Sequence, residues 1–588
     1  MLQALIAYAE RENLGDADFE TVGVRWLIPL DRCGQLAGDP IPLAENPNEK
    51  KPRPKPMSRP FTSPNELNQG TKSHFLCDTL ERATLFLDPK TPDKAEARRT
   101  QHGYFQSLLE EAAQARPNEA ARLDAVVTFL RDSAATVKLH ASLIEAKAKP
   151  SDNATFSVEG VNLLDSSQLK NFWRERRQKQ SAAGSEREMR ICIATGELAE
   201  TLDTTEKIKG IPGGLATGTN LISFDKESFC SFGLEQAQNA ALSASAELNI
   251  RSALNSLISK SRSQGVVFND TVHLHWTRKP EPSDPFDLLT TADPEAISAL
   301  LRSVKEGRRY LGLEANAYYA MSLSGNGARI VVRDWLESTV PEVEQNIADW
   351  FADLAIAEPD GSGVKRDFKF GALLYGMVRA EIAELPPTVS THLLLGALRG
   401  RNIPLPQAAL AAAIRRQHLD QENKLNPARL AMIKACLIRS PNRKEAHTMK
   451  ENLDPDSKDR AYLCGQLFAV IGRLQLLALG KVGASIAERT YGGVATRPAT
   501  TFGPLFTKLP AYLKKANTRF PGSGTNKQKE LEILSVRVEA LGGIPQTLGL
   551  EEQGRFALGY YCQLAQYRTD RAEADAAKKA EELADESN

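Results

Sequence analysis

The sequence contains few of the residues and none of the motifs that build common catalytic centres. Its 588 residues include seven cysteines, all isolated, with no Cys-x-x-Cys pair. A disulfide framework or a zinc knuckle is therefore not expected, and free thiols in a reducing cytosol are. HExxH, a His-Asp dyad, the Gly-x-Ser-x-Gly elbow and the phosphate-binding GxxxxGK[ST] loop are also absent. We expect no catalytic residue, no metal and no cofactor, although the abundant Asp and Glu leave a dispersed metal-dependent nuclease site as an alternative.

An overall charge of one sign is also missing, since 74 basic residues balance 74 acidic residues. Only a local basic patch could then bind phosphates. The first twenty residues have no basic leader region and carry acids early, and no run of about 18 apolar residues occurs. We therefore expect neither a signal peptide nor a membrane span, and a cytoplasmic protein.

The pattern of apolar residues predicts an α+β fold: a mixed α/β N-terminal domain with antiparallel strands and long loops, then a C-terminal helical bundle. A chain of this length exceeds what one core of roughly 250–300 residues can hold. Strands are predicted at 22–30, 190–196, 220–225, 266–276 and 318–335. Helices are predicted at 94–147, 392–400, 406–418, 427–439, 459–480, 504–516, 527–541 and 553–567, and a basic helix or arm at 168–180.

These elements predict three parts of the chain. The N-terminal domain covers 1–390 and includes 94–148 as a helical insertion, and the bundle covers 391–566. The charged tail at 567–588 has no apolar face and is expected to be disordered or a frayed extension of the last helix.

Residues 39–64 contain eight prolines with basic residues between them. Such dense proline predicts an extended segment without helix or sheet. It is either a plain linker or an arm that lies along nucleic acid. In the second case the phosphate-binding candidates are Lys50, Lys51, Arg53 and Lys55.

A second basic stretch runs from Lys434 to Lys527, where sixteen basic and six acidic residues give an excess of ten positive charges. Aromatic residues are interspersed, among them Phe468, Tyr491, Phe502, Phe506, Tyr512 and Phe520, a combination that suits a nucleic-acid backbone and its bases. The alternative is a solvated helix face above core aromatics. The strand-binding candidates are Arg473, Lys481, Arg489, Arg497, Lys508, Lys514 and Lys515.

His273 and His275 share one strand face, which permits a metal site but is more simply two half-exposed histidines.

Seven stretches, in order along nearly the whole chain, resemble one protein family. They are HFLCD at 74–78, RICIATGE at 190–197, KIKGIPGG at 207–214, LISFDKESFCSFGLEQAQNA at 221–240, YYAMSLSGNGARIVVRDW at 318–335, LLLGALRGRNIP at 393–404 and AYLCGQLFAVIGRLQ at 461–475. The family is the Csd family of CRISPR-associated proteins (Dvulg subtype), the large subunit of the type I-C Cascade complex. The chain departs from the family pattern after Asp78, at Ser231–Gly233 and at Gly325, which leaves the details of base contact open.

The resemblance implies a non-catalytic subunit that contacts the Cas5-type and Cas7-type subunits and the crRNA. It implies recognition of the short PAM in target double-stranded DNA, help in opening the duplex, guidance of the displaced strand, and recruitment of a Cas3-type nuclease-helicase. Sequence choice itself would rest on RNA–DNA pairing. Candidates for PAM and duplex contact are Asn68, Gln69, Thr71, Lys72 and Ser73, whose polar side chains suit base edges. Gly213 and Gly214 allow close backbone approach, and Lys207 and Lys209 beside them would bind phosphate. A solvated loop is the alternative for both segments.

Relatives of this subtype make a small subunit by internal translation, which implies a start at Met449 or Met432 here. Met449 is preferred because Met432 lies inside a predicted helix. Two other functions stay open from the residues alone: a metal-dependent nuclease, and a protein scaffold without DNA contact.

Overall fold

The computed structural model describes the chain outside residues 15, 17, 45–51, 53, 63–66, 68–69, 90, 183–188, 225, 264–265, 283, 306–314, 421–424, 442–448 and 587–588. The chain divides into two compact units. The first consists of Met1–Gly210, Gly214–Ser256 and Gly327–Ile330, and the second of Ile211–Gly213, Leu257–Asn326 and Val331–Asn588. The predicted boundary at residue 390 lies inside the second unit, whose larger core contains side chains from both sides of it.

The first unit mixes short strands with long helices. Its elements are α1 (Leu2–Arg11), β1 (Phe19–Val24), β2 (Trp26–Leu30), β3 (Ile41–Pro42), β4 (Lys55–Pro60), β5 (Cys77–Thr79), α2 (Leu80–Ala83), α3 (Ala95–Ala115), α4 (Pro117–Arg131), α5 (Ser133–Glu145), β6 (Asn153–Val158), β7 (Val161–Asn162), α6 (Ser167–Ala182), β8 (Met189–Ile191), β9 (Leu198–Glu200) and the first part of α7 (Ala244–Ser263). The α+β class and the helices predicted at 94–147 and 168–180 are confirmed.

The central sheet of this unit has the order β3-β2-β6-β5, with β7 beside β6. β2 and β6 run parallel, and the other pairs are antiparallel. Helices α3 to α5 cover the sheet, because Phe105, Leu123 and Phe129 share one core with Ile28 and Phe156 of the strands. The segment predicted as an insertion therefore supplies much of this core.

The prediction that residues 39–64 form no sheet is wrong for β3, which pairs with β2 in the central sheet, and for β4. β4 pairs antiparallel with β1 along its whole length, with Lys55 opposite Val24 and Pro60 opposite Phe19. The two strands form a sheet of their own, so each has one free edge. Proline is tolerated there because its missing N–H can face away from the ladder.

The strand predicted at 220–225 is also wrong for the described residues 220–224, which form only one isolated bridge, from Asn220 to Arg329. This segment makes its backbone hydrogen bonds one at a time with neighbouring loops rather than in a ladder.

The second unit combines one four-stranded antiparallel sheet with a helical array. Its elements are the end of α7, β10 (Val267–Phe268), β11 (Thr271–Thr277), α8 (Asp287–Thr291), α9 (Pro294–Lys305), β12 (Ala317–Asn326), β13 (Arg329–Thr339, from Val331), α10 (Val340–Leu354), β14 (Ile356–Ala357), β15 (Val364–Lys365), α11 (Phe370–Gly376), α12 (Pro387–Arg399), α13 (Gln407–Leu419), α14 (Pro427–Ile438), α15 (Arg460–Leu479), α16 (Ile486–Thr496), α17 (Pro498–Phe506), α18 (Leu509–Arg519), α19 (Ser523–Ala540) and α20 (Leu550–Glu586).

The strand order of the sheet is β10-β11-β12-β13, which confirms the strands predicted at 266–276 and 318–335. The helical character of the C-terminal region is confirmed, but two details differ. α16 was not predicted, and the helix predicted at 504–516 is two helices. Pro510 explains the break, because it has no N–H to donate to the carbonyl of Phe506, the last residue of α17, and is tolerated only in the first turn of α18.

α15 is the central helix of this region and packs against α18, α19 and α20. It is the one helix among the described residues whose length and composition would suffice to cross a membrane, and 72% of its apolar window is buried inside the protein. Its apolar character is thus accounted for by its place in the core. α20 continues to Glu586. Of the two states predicted for the tail at 567–588, disordered or an extension of the last helix, the structure shows the second.

Candidate nucleic-acid interface

Five predicted DNA-contacting residues lie outside the described part of the chain: Lys50, Lys51, Arg53, Asn68 and Gln69. Of the neighbouring candidates, Thr71 is exposed, Lys72 is half-buried and Ser73 is completely buried. Ser73 accepts a long hydrogen bond at its carbonyl from the Thr62 hydroxyl, at 3.5 Å. The structure therefore leaves Thr71 and Lys72 within reach of a ligand and encloses the Ser73 side chain.

A buried carboxylate fixes the loop that follows these residues. Asp78 accepts the backbone N–H of His74 at 2.8 Å and that of Thr79 at 2.7 Å. Burial would raise the pKa of Asp78, but the charges and hydrogen bonds around it, from His74 and Arg82 above all, hold that pKa below its usual value. Burial and the nearby Arg59 guanidinium lower the pKa of His74 to about 4. Where His74 is neutral, the Arg82 and Arg59 guanidinium groups and the His74 backbone N–H still favour the ionised Asp78 carboxylate.

The β1–β4 ribbon carries an ion pair between buried Arg59 and half-buried Glu20, and one exposed candidate. Arg59 donates from Nε and Nη2 to Glu20 Oε1 at 2.9 and 2.8 Å. Burial works against ionisation of Glu20, yet Arg59, His74 and more weakly Lys209 lower its pKa overall. Lys55 is exposed at the start of β4. Among the described residues of the ribbon, Lys55 is therefore the exposed cation, whereas the charge of Arg59 is balanced by Glu20.

Lys207 and Lys209 flank a short antiparallel contact in the first unit. Ile208 exchanges both backbone hydrogen bonds with Thr219, at 2.8 and 2.9 Å. Because side chains alternate along an extended backbone, both lysines lie on the face opposite buried Ile208. Lys209 is exposed and Lys207 half-buried. The two predicted phosphate-binding cations are thus brought to one face.

The tip of the β12–β13 hairpin joins this arrangement within the first unit. Leu215 N–H donates to the Gly327 carbonyl at 3.2 Å, and Asn220 exchanges backbone hydrogen bonds with Ala328 and Ile330 at 2.8 and 3.0 Å. We call residues 205–210, 214–224, 226–240 and 327–330 the loop platform. The guanidinium of Arg329 lies over the ring of Phe229, with its carbon 4.3 Å from the ring centroid.

The two predicted glycines belong to different units. Gly213 has φ +72°, and a Cβ there would lie 3.1 Å from the Gly325 carbonyl oxygen of the second unit. Its glycine is thus required by local backbone packing. Gly214 pairs with Gly327 inside the loop platform.

A groove of about 470 Å³ lies between α15 and α20 in the second unit. Four cations line it: Arg473, Lys481, Arg568 and Arg571. Tyr560 and Tyr567 also contribute to the wall, and none of the described side chains that line it is acidic. We call it the basic groove. Its shape and charge suit the backbone of a single nucleic-acid strand. Its rings are engaged inside the protein, since Tyr560 is a core residue and the Lys527 ammonium lies 3.8 Å from the centroid of the Tyr567 ring.

The groove unites two of the seven predicted strand-binding residues, Arg473 and Lys481. The other five are exposed on α16 to α18 and their connections and do not line it: Arg489, Arg497, Lys508, Lys514 and Lys515. Several other cations of the basic stretch are internal. Arg439 is buried against Asp353 at 2.7 Å, and Lys434 is buried with its ammonium on the carbonyls of Asp353 and Ala355. Part of the local positive charge is therefore neutralised inside the protein.

The aromatics predicted to accompany these cations divide in the same way. Phe468, Tyr491 and Phe502 are core residues, whereas Phe520 is about half exposed. The two tyrosines of the basic groove, and Arg568 and Arg571, were not predicted. Leu564, Tyr567, Arg568 and Arg571 follow Tyr560 at the spacing of one helix face. This face was missed because residues 567–588 were assigned to a tail.

The paired histidines have hydrogen-bonding partners inside the protein. His273 and His275 are buried, not half-exposed. His273 Nδ1 lies 2.8 Å from the Ser322 hydroxyl, and His275 Nδ1 lies 2.8 Å from Asp284 Oδ2. Burial, and secondarily His275, lowers the pKa of His273 to about 3. No cluster of three or more His, Cys, Asp or Glu with metal-binding geometry occurs among the residues that the structure describes.

No curated protein matches the chain significantly. A family model described as CRISPR-associated protein (Cas_Csd1) matches residues 5–568. The match includes the loop platform and all but the last residue, Arg571, of the basic groove's cations. The chain therefore belongs to the Cas_Csd1 family of CRISPR-associated proteins.

Proposed function

We propose that this chain is the non-catalytic large subunit of a type I-C CRISPR surveillance complex of the Cascade kind. It recognises the PAM in target double-stranded DNA, helps to unwind that DNA and stabilises the R-loop for recruitment of a Cas3-type nuclease-helicase. The observation that carries the proposal is the family match over residues 5–568. In RNA-guided recognition of this kind, base pairing selects the sequence and protein contacts are confined to the PAM and to backbone shape.

The first unit supplies the proposed duplex contacts. Thr71 and Lys72 lie just before His74, whose backbone N–H is held by buried Asp78. A hydroxyl and an ammonium can both bond to base edges, at about 1–3 kcal/mol for a good contact. Lys207 and Lys209 on the loop platform would bind the neighbouring phosphates.

The second unit supplies the proposed contact with the displaced strand. The basic groove offers cations for phosphates, the electrostatic component of sequence-tolerant single-strand binding. Its partners would be DNA that base pairing with the crRNA has released.

The proposal also assigns protein partners. They are the Cas5-type and Cas7-type subunits that hold the crRNA, and a small subunit made by internal translation from Met449 or Met432. The complex would act in the cytoplasm, where foreign DNA is met. Replacement of both methionines by leucine should abolish a small C-terminal product, and its persistence would reject the internal start.

The decisive experiment is a binding titration of duplex DNA to the assembled complex, with and without this chain. It uses a panel of PAM sequences at two salt concentrations. The expected result is PAM discrimination that disappears when the chain is omitted. If discrimination survives its omission, another subunit recognises the PAM and the chain is a scaffold or a strand guide.

The non-catalytic part of the proposal has its own test. The purified chain is incubated with labelled duplex and single-stranded DNA in Mg²⁺ or Mn²⁺, with EDTA as the control. Intact DNA is expected. Cleavage that EDTA suppresses, and that co-purifies with the chain through several columns, would identify a metal-dependent nuclease instead.

A further inference from the structure

One aromatic side chain of the loop platform is exposed to an extent that packing does not explain. Phe232 is 100% exposed. It is followed by Gly233, and the Ser231 carbonyl accepts the Leu234 N–H at 2.9 Å to close a four-residue turn. Phe232 has φ +55° and Gly233 has φ +72°. Two left-handed residues at the centre of a turn are the pattern of type I′, in which Asn, Asp or Gly is the usual first residue.

The turn is held rigidly from behind. Asn239 accepts the Ser231 N–H at 2.9 Å, and its amide donates to the carbonyls of Leu234 and Gln236 at 2.9 and 3.1 Å. Glu235 and Gln238 add a reciprocal capping box at the start of the following helical turn. A bulky residue in the left-handed region is rare and unfavourable. These bonds keep the ring at the tip although both backbone preference and the hydrophobic effect oppose it.

The neighbouring groups narrow the choice of occupant. Phe229, in the same loop, is 40% exposed and has Arg329 over its ring. Lys226 is exposed at the base of the loop, but so are the acidic Glu227 and Glu235. The mixed charge does not make a track for phosphates. The loop instead offers an unobstructed aromatic face beside an aromatic–guanidinium pair, and both surfaces accept a flat heterocycle.

A protein partner would fit the site less well. Interface hot spots are surrounded by contacts that exclude water, whereas Phe232 stands alone on its turn. The exposed aliphatic residues of the β8–β9 hairpin, such as Ile191 and Leu198, form the more continuous apolar surface of this unit. An isolated ring at a rigid tip is the shape that enters between bases.

We propose that Phe232 stacks on a nucleobase that becomes unpaired where the target duplex opens beside the PAM, with Gly233 fixing its approach. The inference rests on the proposed function and adds to it the group that stabilises the first opened base. It requires no contact with phosphate and no sequence preference at that base, because every base has a π face.

The test uses the full chain within its crRNA-loaded complex and a duplex with thymines at the pairs next to the PAM. Permanganate oxidation of unpaired thymine reports opening, and a parallel titration reports affinity. The variants are Phe232→Ala, Phe232→Leu and Phe232→Tyr, and the matched control is Ile144→Ala, an exposed apolar residue on α5.

The variants distinguish the effect of an aromatic ring from that of an apolar side chain of similar size. The Ala and Leu variants should lose permanganate reactivity beside the PAM and bind about 5- to 150-fold more weakly, which corresponds to the ~1–3 kcal/mol of one base–aromatic stack. The Tyr variant and Ile144→Ala should behave as the unsubstituted protein. Gly233→Ala should resemble Phe232→Ala, because an added Cβ meets no atom within 4 Å and strains only the turn.

Three results would overturn the inference. They are full reactivity and affinity in Phe232→Ala, equal rescue by Leu and Tyr, or failure of Phe232→Ala to assemble while the assembled fraction opens DNA normally. The last would identify a protein contact. Absence of PAM-dependent opening in the unsubstituted complex would instead reject the proposed function, so the two failures are distinguishable.

Discussion

Removal of the two predicted cations of the basic groove should change how single-strand binding depends on salt. Arg473 and Lys481 line the groove without an acidic neighbour among its described walls. Each phosphate contact with a single strand contributes about −0.7 to the slope of log K against log salt, because bound counterions are released. If both side chains contact phosphate, the double alanine variant should have a slope less negative by about 1.4. At about 0.1 M salt the affinity should then fall about 25-fold.

The assay is fluorescence anisotropy of a labelled oligonucleotide with the full chain over a series of salt concentrations. The matched control removes two cations that already have acidic partners. Lys365 lies 3.4 Å from Glu358, and Arg366 lies 3.0 Å from Glu451. Their double alanine variant has the same change in net charge and should alter the slope little. An unchanged slope in the groove variant, or an equal change in both variants, would refute the assignment of the groove to a strand.

Two further predictions concern stability. A Cβ on Gly559 of α20 would lie 2.0 Å from the Tyr462 carbonyl oxygen of α15, so Gly559→Ala should lower the free energy of unfolding by about 1–3 kcal/mol or more. Gly472→Ala, where an added Cβ would meet no atom within 4 Å, should raise the free energy of unfolding by about 0.5–1 kcal/mol. Urea unfolding measures both variants. Equal effects would contradict the close approach of α15 and α20 at Gly559. For His74, burial and then Arg59 lower the folded pKa to about 4 from 6.5, so the unfolded chain takes up a proton first as the pH falls. Stability is therefore complete above pH 6.5 and declines towards pH 4, by about 2 kcal/mol at pH 5. His74→Asn should flatten that decline, and a decline as steep as before would exclude this histidine as its source.

The sequence could predict the features that depend on local periodicity. The alternation in 266–276 identified β11, and the spacing of Leu and Ile identified α12 to α15. The alternation shows that a segment is a strand, but it does not show whether the polar face of that strand is exposed or buried. His273 and His275 lie on β11, every residue of which is buried, and their rings contact Ser322 and Asp284 of other segments. Their exposure could not be judged from the strand alone.

The candidate site was less predictable for the same reason. A phenylalanine in a sequence is expected in a core, and Phe468 and Phe502 are there. Nothing local distinguishes them from Phe232, whose exposure results from hydrogen bonds to Asn239 seven residues later. The exposure of a basic residue is equally hard to predict from the sequence. Arg439 lies in the basic stretch, but its side chain is buried in the core.

The structure also bears on the proposed internal product. One hydrophobic core consists of buried residues that all lie between Ala461 and Tyr560. A chain that starts at Met449 contains that core in full. Met432 lies inside α14 and is completely buried. A chain that starts there would begin within a helix that packs in the other core of this unit.

We therefore predict that the fragment 449–588 folds alone but associates with itself. Loss of α14 uncovers the side of α20 at Gly554, where an added Cβ would lie 3.2 Å from both Ile433 and Leu437 of α14. It also uncovers Leu558, a residue of the larger core. Circular dichroism should show a cooperative helical unfolding transition, and sedimentation should show a mass that grows with concentration. The fragment 486–588 lacks α15, the central helix of the core, and should be unfolded. Leu558→Glu in the longer fragment should reduce association and keep the helical signal, because its side chain is not part of the core that the fragment retains. A fragment 449–588 without cooperative unfolding would mean that this core needs α14 to form, and an independent small subunit could not then begin at Met449.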